Sequence, residues 1–491
     1  MESKETRFSY VYHDLRGRIE SGQLQPGKNL PSGRQLCKDY QVSIRTINDV
    51  LAALKREGFI TVEPRKAPVV CRRGGIDSSS MVLSVLGKKE EILQIYRTMT
   101  LLLPPLLTFA SQGCPLEDMP HYRQAMKVDQ RKLAAGSWRP VSGLIKDVLG
   151  SGGNWLFSDV FSAFIRYNHT SFFAEEQETF TGLSPEQDSP EITPLLQLLH
   201  TRDTGRIYLG YTSLYQHMEV KIADCIGHLE ASFPGCPQQK EMAFSWNPWR
   251  GNDHFYTRIV RDLVDKIGTG FYPPDTYLPH EAQLAKEYRV SVFTIRKALA
   301  ETARLGFTKT YNIKGTVALI PDDTIVFRSL QNQTSKRDTL TYLYALQFLS
   351  LAIRPAAMLA AVHLTPEDLS SLALAFDKPQ TIPLEDIYQC LLAHIPLAPF
   401  CLLMEELGKL AQWGYYFAFY RNNSTNTNLL NQKTLEAFRS LRAGDIQDFA
   451  DRLSECYGLI LCAVRQFVTD KYHLYEAQDI RTPDLRFPPS A

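Results

Sequence analysis

The sequence predicts a mainly α-helical protein in which two short helical domains, each closed by a small β-hairpin, alternate with two all-α helical bundles. The first observation is length: at 491 residues the chain is too long for one hydrophobic core, and domains of roughly 100–200 residues predict about three to five. The second is a repeat, because LPSGRQLCKDYQVSIRTI at residues 30–47 returns as LPHEAQLAKEYRVSVFTI at residues 278–295. The third is the helical spacing of apolar residues between and after the two copies.

The first copy begins with two predicted helices. Tyr10, Leu15 and Ile19 recur at near-helical spacing until Gly and Pro in SGQLQPGKNLP break the pattern. Ser32, followed three residues later by Gln35, is a capping-box start for a short second helix that ends near Tyr40.

A third helix and a hairpin complete the copy. The hydroxyl of Ser43 can cap the third helix, and Gly58 supplies a left-handed stop. FITVE and PVVCR then flank residues 64–67, as FTKTY and TVALI flank residues 312–315 in the second copy, so each pair predicts a hairpin with a cationic tip. Each copy is therefore predicted to be a winged helix-turn-helix.

The ordered residues of the repeat resemble a known family. Residues 8–60 align with residues 256–308 without an insertion. The string YxxLxxxIxxGxLxPGxxLPSxRxLxxxYxVSxxTIxxxLxxLxxEGFI resembles the DNA-binding domain of the GntR family of bacterial transcription regulators. The second copy keeps Gly270, Pro274, QLAKEY, VSVFTIRKAL and LGF. The resemblance implies that the third helix enters the major groove by its N-terminal end and that the wing reaches the neighbouring minor groove.

The resemblance also assigns candidate DNA contacts. In the first copy these are Arg34, Ser43, Arg45, Thr46, Asn48, Arg65 and Lys66. In the second copy they are Ser291, Thr294, Arg296, Lys297 and Lys314. Arginine can read guanine through two hydrogen bonds, and asparagine can read adenine. The family usually has arginine after the capping serine, where this chain has Ile44 and Val292, and the copies differ elsewhere, so their half-sites should differ.

Charge supports contact with phosphate. Net charge is +1 for the chain, but +6 for residues 1–74, +3 for residues 252–320 and −8 for the remainder. Positive charge confined to small domains fits a nucleic-acid partner.

The repeat organises the chain into four predicted domains. These are wHTH1 (residues 1–76), a helical domain (residues 77–246), wHTH2 (residues 247–322) and a second helical domain (residues 323–491). TLLLPPLLTFASQGCPLED at 100–118 aligns with LAIRPAAMLAAVHLTPED at 351–368, so the duplication is predicted to include the helical domains. Both resemble the effector domain of the FadR branch of the GntR family.

That branch implies an effector site, for which the sequence offers scattered candidates. Many such domains hold a metal through one aspartate and three histidines, but here Asp159 is followed by Ala163 where histidine is expected, and His217 fills one later position at most. We therefore expect no metal and no cofactor. The candidate contacts to a small-molecule effector are Arg97, Arg166, Tyr167, Asn168, Arg354, Trp413, Tyr415, Tyr416 and Tyr420. A duplicate that has lost its ligand and serves as a dimerisation scaffold is an equally good account.

Other classes of protein find little support. No GxSxG, HExxH or zinc spacing occurs, and GSGGN at 150–154 lacks the lysine of a P-loop, so we expect no enzyme and no catalytic residue. Nine scattered cysteines and no secretory signal pattern favour the cytoplasm. The apolar segment 340–364 contains Gln347 and Arg354, which favours a buried helix over a membrane span.

The sequence thus predicts a cytoplasmic, sequence-specific DNA-binding transcription regulator that acts as an intramolecular pseudo-dimer and responds to a small-molecule effector. Its partner is double-stranded DNA, and a homo-oligomer is compatible with this arrangement but not required by it. The alternative is a protein-interaction scaffold whose duplicated domains have lost specific DNA binding.

Overall fold

The computed structural model divides the chain into two compact units, residues 1–252 (unit 1) and 253–491 (unit 2). It describes residues 7–20, 24, 27–40, 42–63, 66–71, 78–123, 125, 138–168, 192–236, 244–248, 255–268, 270–312, 314–330, 332–376, 382–412 and 424–483.

Unit 1 consists of three helices and a hairpin, followed by a second group of helices. The first part contains α1 (Arg7–Glu20), α2 (Gly33–Tyr40), α3 (Ile44–Arg56), β1 (Ile60–Thr61) and β2 (Val69–Val70). The second part contains α4 (Ser78–Gly87), α5 (Lys89–Ser111), α6 (Trp138–Ser151), α7 (Trp155–Tyr167), α8 (Ile192–Thr201) and α9 (Thr204–Ser232).

Unit 2 repeats this order. Its first part contains α10 (Phe255–Gly268), α11 (Glu281–Glu287), α12 (Val292–Arg304), β3 (Thr308–Tyr311) and β4 (Gly315–Ala318). Its second part contains α13 (Asp323–Leu330), α14 (Gln333–Ala361), α15 (Pro366–Phe376), α16 (Pro383–His394), α17 (Ala398–Ala411), α18 (Ser424–Arg442) and α19 (Ile446–Tyr472).

The small core of wHTH1 follows from apolar residues at helical spacing. Leu15 on α1, Leu36 on α2, and Ile47 and Leu54 on α3 are fully buried in one cluster. Each of these side chains lies on the apolar face by which its amphipathic helix packs against the other two. Burial of this face stabilises α1, α2 and α3, which are too short to be stable as isolated helices.

The local start and stop patterns behave as the sequence predicts. The hydroxyl of Ser32 accepts a hydrogen bond from the backbone amide of Gln35 at 3.2 Å, which caps α2. At the other end of α3, Gly58 has a φ of 78°, the left-handed conformation that ends the helix.

The two wings differ in length. In wHTH1 the antiparallel strands pair only Ile60 with Val70 and Thr61 with Val69. In wHTH2 the pairing continues over four residues of each strand, from Thr308–Ala318 out to Tyr311–Gly315. The second wing therefore has a longer regular stem.

A glycine lies at the C-terminal end of α12 in wHTH2, where the segment after the wing packs closely against it. Gly306 has a φ of 86°, and a Cβ atom placed there would lie 2.7 Å from Ile325 and 2.9 Å from Pro321. At the equivalent Gly58 of wHTH1, no atom of the described residues lies within 4 Å of the Cβ position, and the residues that align with Pro321 and Ile325 lie outside the described part of the chain. Gly306 thus serves both the left-handed turn and the close approach of α13.

Long apolar helices form the cores of the helical parts. The helices α5 and α14 are long and apolar enough to cross a membrane, but 78% and 72% of their most apolar windows are buried inside the structure. α5 packs along α9, and α14 packs along α19. Burial in the protein core therefore accounts for the apolar character of α5 and α14. The apolar segment 340–364, which comprises part of α14 and the residues after it, has the same explanation.

Polar groups inside α14 have partners. The Gln347 amide donates to the backbone carbonyl of Arg481 at 2.6 Å, and the Arg354 guanidinium pairs with Asp451. Buried polar groups without partners are costly, so these contacts allow the helix to lie in a protein core. The predicted fold class, mainly α with two hairpin-bearing winged helix-turn-helix domains and helical bundles, is confirmed.

Candidate nucleic-acid interface

The N-terminal tip of α3 depends on one capping residue. The Ser43 hydroxyl accepts a hydrogen bond from the backbone amide of Thr46 at 3.2 Å and lies 3.0 Å from its hydroxyl. Two predicted DNA contacts therefore bond to each other. The amides left without partners at a helix N-terminus carry partial positive charge, which favours a phosphate group.

Side chains of the predicted contact set surround this tip. Arg34 on α2, and Arg45 and Asn48 on α3, are all exposed. Ile44, which stands where the family usually has arginine, is 52% exposed. The structure therefore presents two guanidinium groups and one carboxamide beside an apolar side chain.

The tip of α12 has the same cap but different chemistry. Ser291 accepts from the backbone amide of Thr294 at 3.2 Å, and their hydroxyls lie 2.9 Å apart. Phe293, which aligns with Arg45, is 75% exposed. At this position wHTH2 presents an aromatic ring instead of a guanidinium group.

The two predicted cations of α12 are already engaged within wHTH2. The Arg296 Nε atom donates to Glu281 at 2.7 Å, and the Lys297 ammonium lies 4.0 Å from the centre of the Tyr256 ring. An exposed ion pair of this kind is worth about 0–1 kcal/mol, so a phosphate can compete for the cation. The two tips thus carry their cations at different positions: Arg34 and Arg45 in wHTH1, and Arg296 and Lys297 in wHTH2.

Both wings carry exposed lysines. Lys66 pairs with Glu63 at 2.7 Å, while Arg65 lies outside the described residues. In wHTH2, Lys314 is exposed at the hairpin tip, and Lys309 lies 5.2 Å from the centre of the Tyr311 ring. The wing positions of Lys66 and Lys314 agree with the sequence prediction, but their contacts to DNA stay predictions.

A duplicated network orients the helices of wHTH1. The Tyr40 hydroxyl on α2 donates to Asp14 on α1, and Arg18 pairs with the same carboxylate at 3.7 Å. Burial and the Asp14 charge raise the pKa of Tyr40, so the phenol stays a protonated donor. The network fixes the angle between the two helices that hold α3.

The same network recurs in wHTH2. The Tyr288 hydroxyl donates to Asp262, and the Lys266 ammonium pairs with that carboxylate at 2.9 Å. Arg18 is thus replaced by lysine, and both basic residues lie one helical turn after their aspartate.

Unit 1 adds a contact between wHTH1 and its helical domain. Arg166 on α7 pairs with Asp14 on α1 at 2.8 Å, and the two side chains are only 12% and 11% exposed. The Arg166 Nε atom is buried without a hydrogen-bond partner among the described residues. Burial lowers the pKa of Arg166, but the charge of Asp14 and of other nearby groups raises it above its usual range. Arg166 therefore links the helical domain to wHTH1, mainly through its ion pair with Asp14.

The corresponding region of unit 2 contains acidic groups instead. A cavity of about 140 Å³ is lined by Asp265 on α10 and by residues of the helical part that include Glu385, Tyr342 and Tyr457. Burial, followed by repulsion from Glu385 and Asp262, raises the pKa of Asp265 to about 7. Burial also raises the pKa of Glu385. The cavity is smaller than the roughly 300–1,000 Å³ that is typical of ligand pockets, and it lies where α10 meets the helical part of unit 2.

Comparison with known proteins identifies the two hairpin-bearing domains. The model of bacterial regulatory proteins of the gntR family matches residues 9–70 and 255–317. The chain carries two GntR-family domains. The resemblance read from the repeat is therefore confirmed for both copies.

Relatives of the GntR family match part of the chain. An uncharacterized HTH-type transcriptional regulator of Mycobacterium tuberculosis is 27% identical over 121 residues, which are 24% of this chain and half of that protein. Among solved structures, Streptococcus agalactiae GntR is 17% identical with a TM-score of 0.20, covering 42% of this chain and 99% of its own. E. coli McbR/YncC is 16% identical with a TM-score of 0.23, covering 45% of this chain and 99% of its own.

The effector candidates suggested by the FadR branch of the GntR family do not converge on one site. Arg97 pairs with Glu219 at 3.0 Å, Arg354 pairs with Asp451, and Arg166 pairs with Asp14. The buried Asn168 carboxamide donates to the sulfur of Met99 at 3.8 Å, and Tyr416 lies outside the described residues. Effector binding stays a prediction.

The aspartate at the metal position of that branch also has another partner. Asp159 accepts a hydrogen bond from the indole nitrogen of Trp246 at 3.0 Å. Within the part of the chain that the structure describes, no group of three or more His, Cys, Asp or Glu side chains is placed to hold a metal ion.

Sequence reasoning missed two features of this region of the protein. The sequence predicts that the half-sites differ, but only the structure shows that the Phe293 ring, which aligns with Arg45, is exposed at the tip of α12. The acidic junction around Asp265 and Glu385 left no recognisable pattern, because each residue reads as a polar position on an amphipathic helix.

Proposed function

We propose that this protein is a cytoplasmic transcription regulator that binds double-stranded DNA in a sequence-specific manner through both wHTH1 and wHTH2. The single observation that supports the proposal most directly is the pair of GntR-family domains, each with a capped helix tip exposed beside cationic side chains. The localised positive charge of the two domains fits the phosphate backbone, which dominates the affinity of such proteins.

One chain supplies both DNA-binding domains in this proposal and acts as an intramolecular pseudo-dimer. Ordinary helix-turn-helix dimers place two identical recognition helices on half-sites about one helical turn apart. Covalent linkage raises the effective concentration of the second domain and removes the need for two equal half-sites. A small-molecule effector would act by favouring one arrangement of the helical domains.

The first test measures the salt dependence of binding to a duplex selected from a random pool by the full-length protein. Replacing Arg45 by Ala should raise Kd about 5- to 150-fold if its two hydrogen bonds to guanine are lost, at about 1–3 kcal/mol. A contact to phosphate instead should lower the salt slope by about 0.9.

Arg206→Ala is the matched control. Arg206 is also exposed and also in unit 1, but it belongs to α9 and pairs with Asp203 at 3.4 Å, so the variant should bind like the wild type. Duplex binding that shows no salt dependence, or that both variants weaken equally, would favour the scaffold alternative.

The second test concerns stoichiometry. Native mass spectrometry of the protein on the selected duplex should find one chain per duplex, and footprinting should show protection of two unlike half-sites. Protection of a single half-site by one chain, or of two half-sites only by two chains, would reject the pseudo-dimer while leaving DNA binding in place.

A further inference from the structure

The side chain of Phe293 is the most exposed large hydrophobic group among the described residues, at 75%. It occupies the second position of α12, directly after the capped first turn begins. A single exposed apolar side chain is common on protein surfaces, so the exposure of Phe293 acquires meaning only from its position at the helix tip and from its neighbours.

The neighbours of Phe293 indicate what covers it. Arg296 and Lys297 follow three and four positions later, and such positions share one face of a helix. Both are cations, held by Glu281 and Tyr256 through contacts that remain at the surface. A polyanion that displaced these exposed contacts would also contact the Phe293 ring. In a DNA duplex, the surface that lies between the phosphate backbones and would meet the ring is formed by the edges of the bases.

The internal repeat supplies a direct comparison. Arg45 stands at the same position of α3, with the same serine cap and the same Ser–Thr hydroxyl pair beside it. The backbone frame is thus alike in both copies, while the side chain at the tip changes from a hydrogen-bond donor to an aromatic ring. The replacement of arginine by phenylalanine therefore changes which base edges the tip of the helix could contact.

We propose that Phe293 determines the specificity of wHTH2 by contacting the 5-methyl group of thymine, whereas Arg45 at the equivalent position of wHTH1 reads guanine. The thymine methyl is the apolar group on the major-groove edge of the base pairs, and phenylalanine is one of the side chains that contact it. The inference rests on the proposed DNA binding, and it predicts one thymine-dependent and one guanine-dependent half-site.

The test replaces thymine by deoxyuridine, which removes the methyl group and keeps the hydrogen-bonding pattern of the base. In the duplex selected by the full-length protein, the thymines of one half-site at a time are changed and Kd is measured. For the wild type, deoxyuridine in the wHTH2 half-site should raise Kd about fourfold per contacted methyl group, the effect of burying one such group. In the other half-site it should leave Kd unchanged.

Phe293→Ala should bind the thymine and deoxyuridine duplexes equally, since it has no ring to contact the methyl group. Because the side chain is exposed, this variant should melt at the wild-type temperature, which separates a specificity effect from unfolding. Phe293→Arg should shift the preferred base at that position from thymine to guanine in a repeated selection, and Arg45→Phe should cause the opposite shift in the other half-site.

Three outcomes separate the claims. A deoxyuridine effect confined to one half-site and removed by Phe293→Ala supports the inference. An equal deoxyuridine effect in wild type and Phe293→Ala, or no effect despite salt-dependent binding, overturns the inference and leaves the proposed function standing. Absence of any salt-dependent duplex binding overturns the proposed function, and the inference with it.

Discussion

Asp14→Ala is expected to destabilise unit 1 by about 3–5 kcal/mol, the usual cost of removing one partner from a buried ion pair. The Arg166 guanidinium, 12% exposed, would lose the carboxylate 2.8 Å away, while its Nε atom has no hydrogen-bond partner within the described part of the chain. Tyr40 would lose its acceptor as well. The free energy of unfolding can be followed by tryptophan fluorescence, since four of the five tryptophans lie in residues 1–252.

The duplication provides a matched control for this experiment. Asp262→Ala removes the equivalent carboxylate from wHTH2, where the side chains of Asp262 and Lys266 are 38% and 23% exposed. Water can solvate the remaining ammonium group, so the cost should be about 1 kcal/mol. Equal losses in the two variants would show that the Arg166 contact contributes nothing beyond the network shared by both copies.

Asp265→Asn is expected to stabilise unit 2 at pH 8 by about 2–4 kcal/mol, because a carboxylate whose pKa is raised by about three units disfavours the folded state once it is ionised. Its folded pKa of about 7 exceeds the ordinary value of 3.8. Between these two pH values Asp265 is therefore protonated to a greater extent in the folded state than in the unfolded state. The free energy of unfolding of the wild type should fall as pH rises from about 4 to 7. Burial is the largest cause of the raised pKa of Asp265, followed by the charges of Glu385 and Asp262, while Lys266 lowers it.

Thermal melting followed by circular dichroism at pH 4.5, 6 and 8 checks this prediction. The difference in melting temperature between Asp265→Asn and wild type should be small at the lowest pH and largest at pH 8. Glu367→Gln serves as a control of equal charge change, because Glu367 is an exposed residue of α15 in the same unit. A constant difference across this pH range would mean that Asp265 is ionised throughout in the folded protein.

The parts of the fold that were predictable from the sequence are those governed by neighbours along the chain. Ser32, Ser43 and Gly58 act within a few residues of themselves, so their capping and stopping roles could be read directly from their spacing. The repeat strengthened each assignment, because two diverged copies retained the same pattern. The wing lengths were less predictable, since strand pairing depends on packing against the rest of the domain.

The contacts between domains could not be predicted in the same way. Arg166 was a plausible effector ligand from sequence, but its partner Asp14 belongs to another domain and no local pattern connects them. From the sequence, Arg296 was likewise predicted to be a cation available for DNA. In the structure it pairs with Glu281 on the preceding helix. Such pairings depend on tertiary geometry, which residue spacing within one helix does not specify.

The close packing around Gly306 limits how α13 can move relative to α12 in unit 2. With Ile325 and Pro321 against its backbone, the first turn of α13 cannot slide over the end of α12 without displacing that turn of main chain. We therefore expect a displacement of the first turn of α13 to shift the C-terminal end of α12 as well.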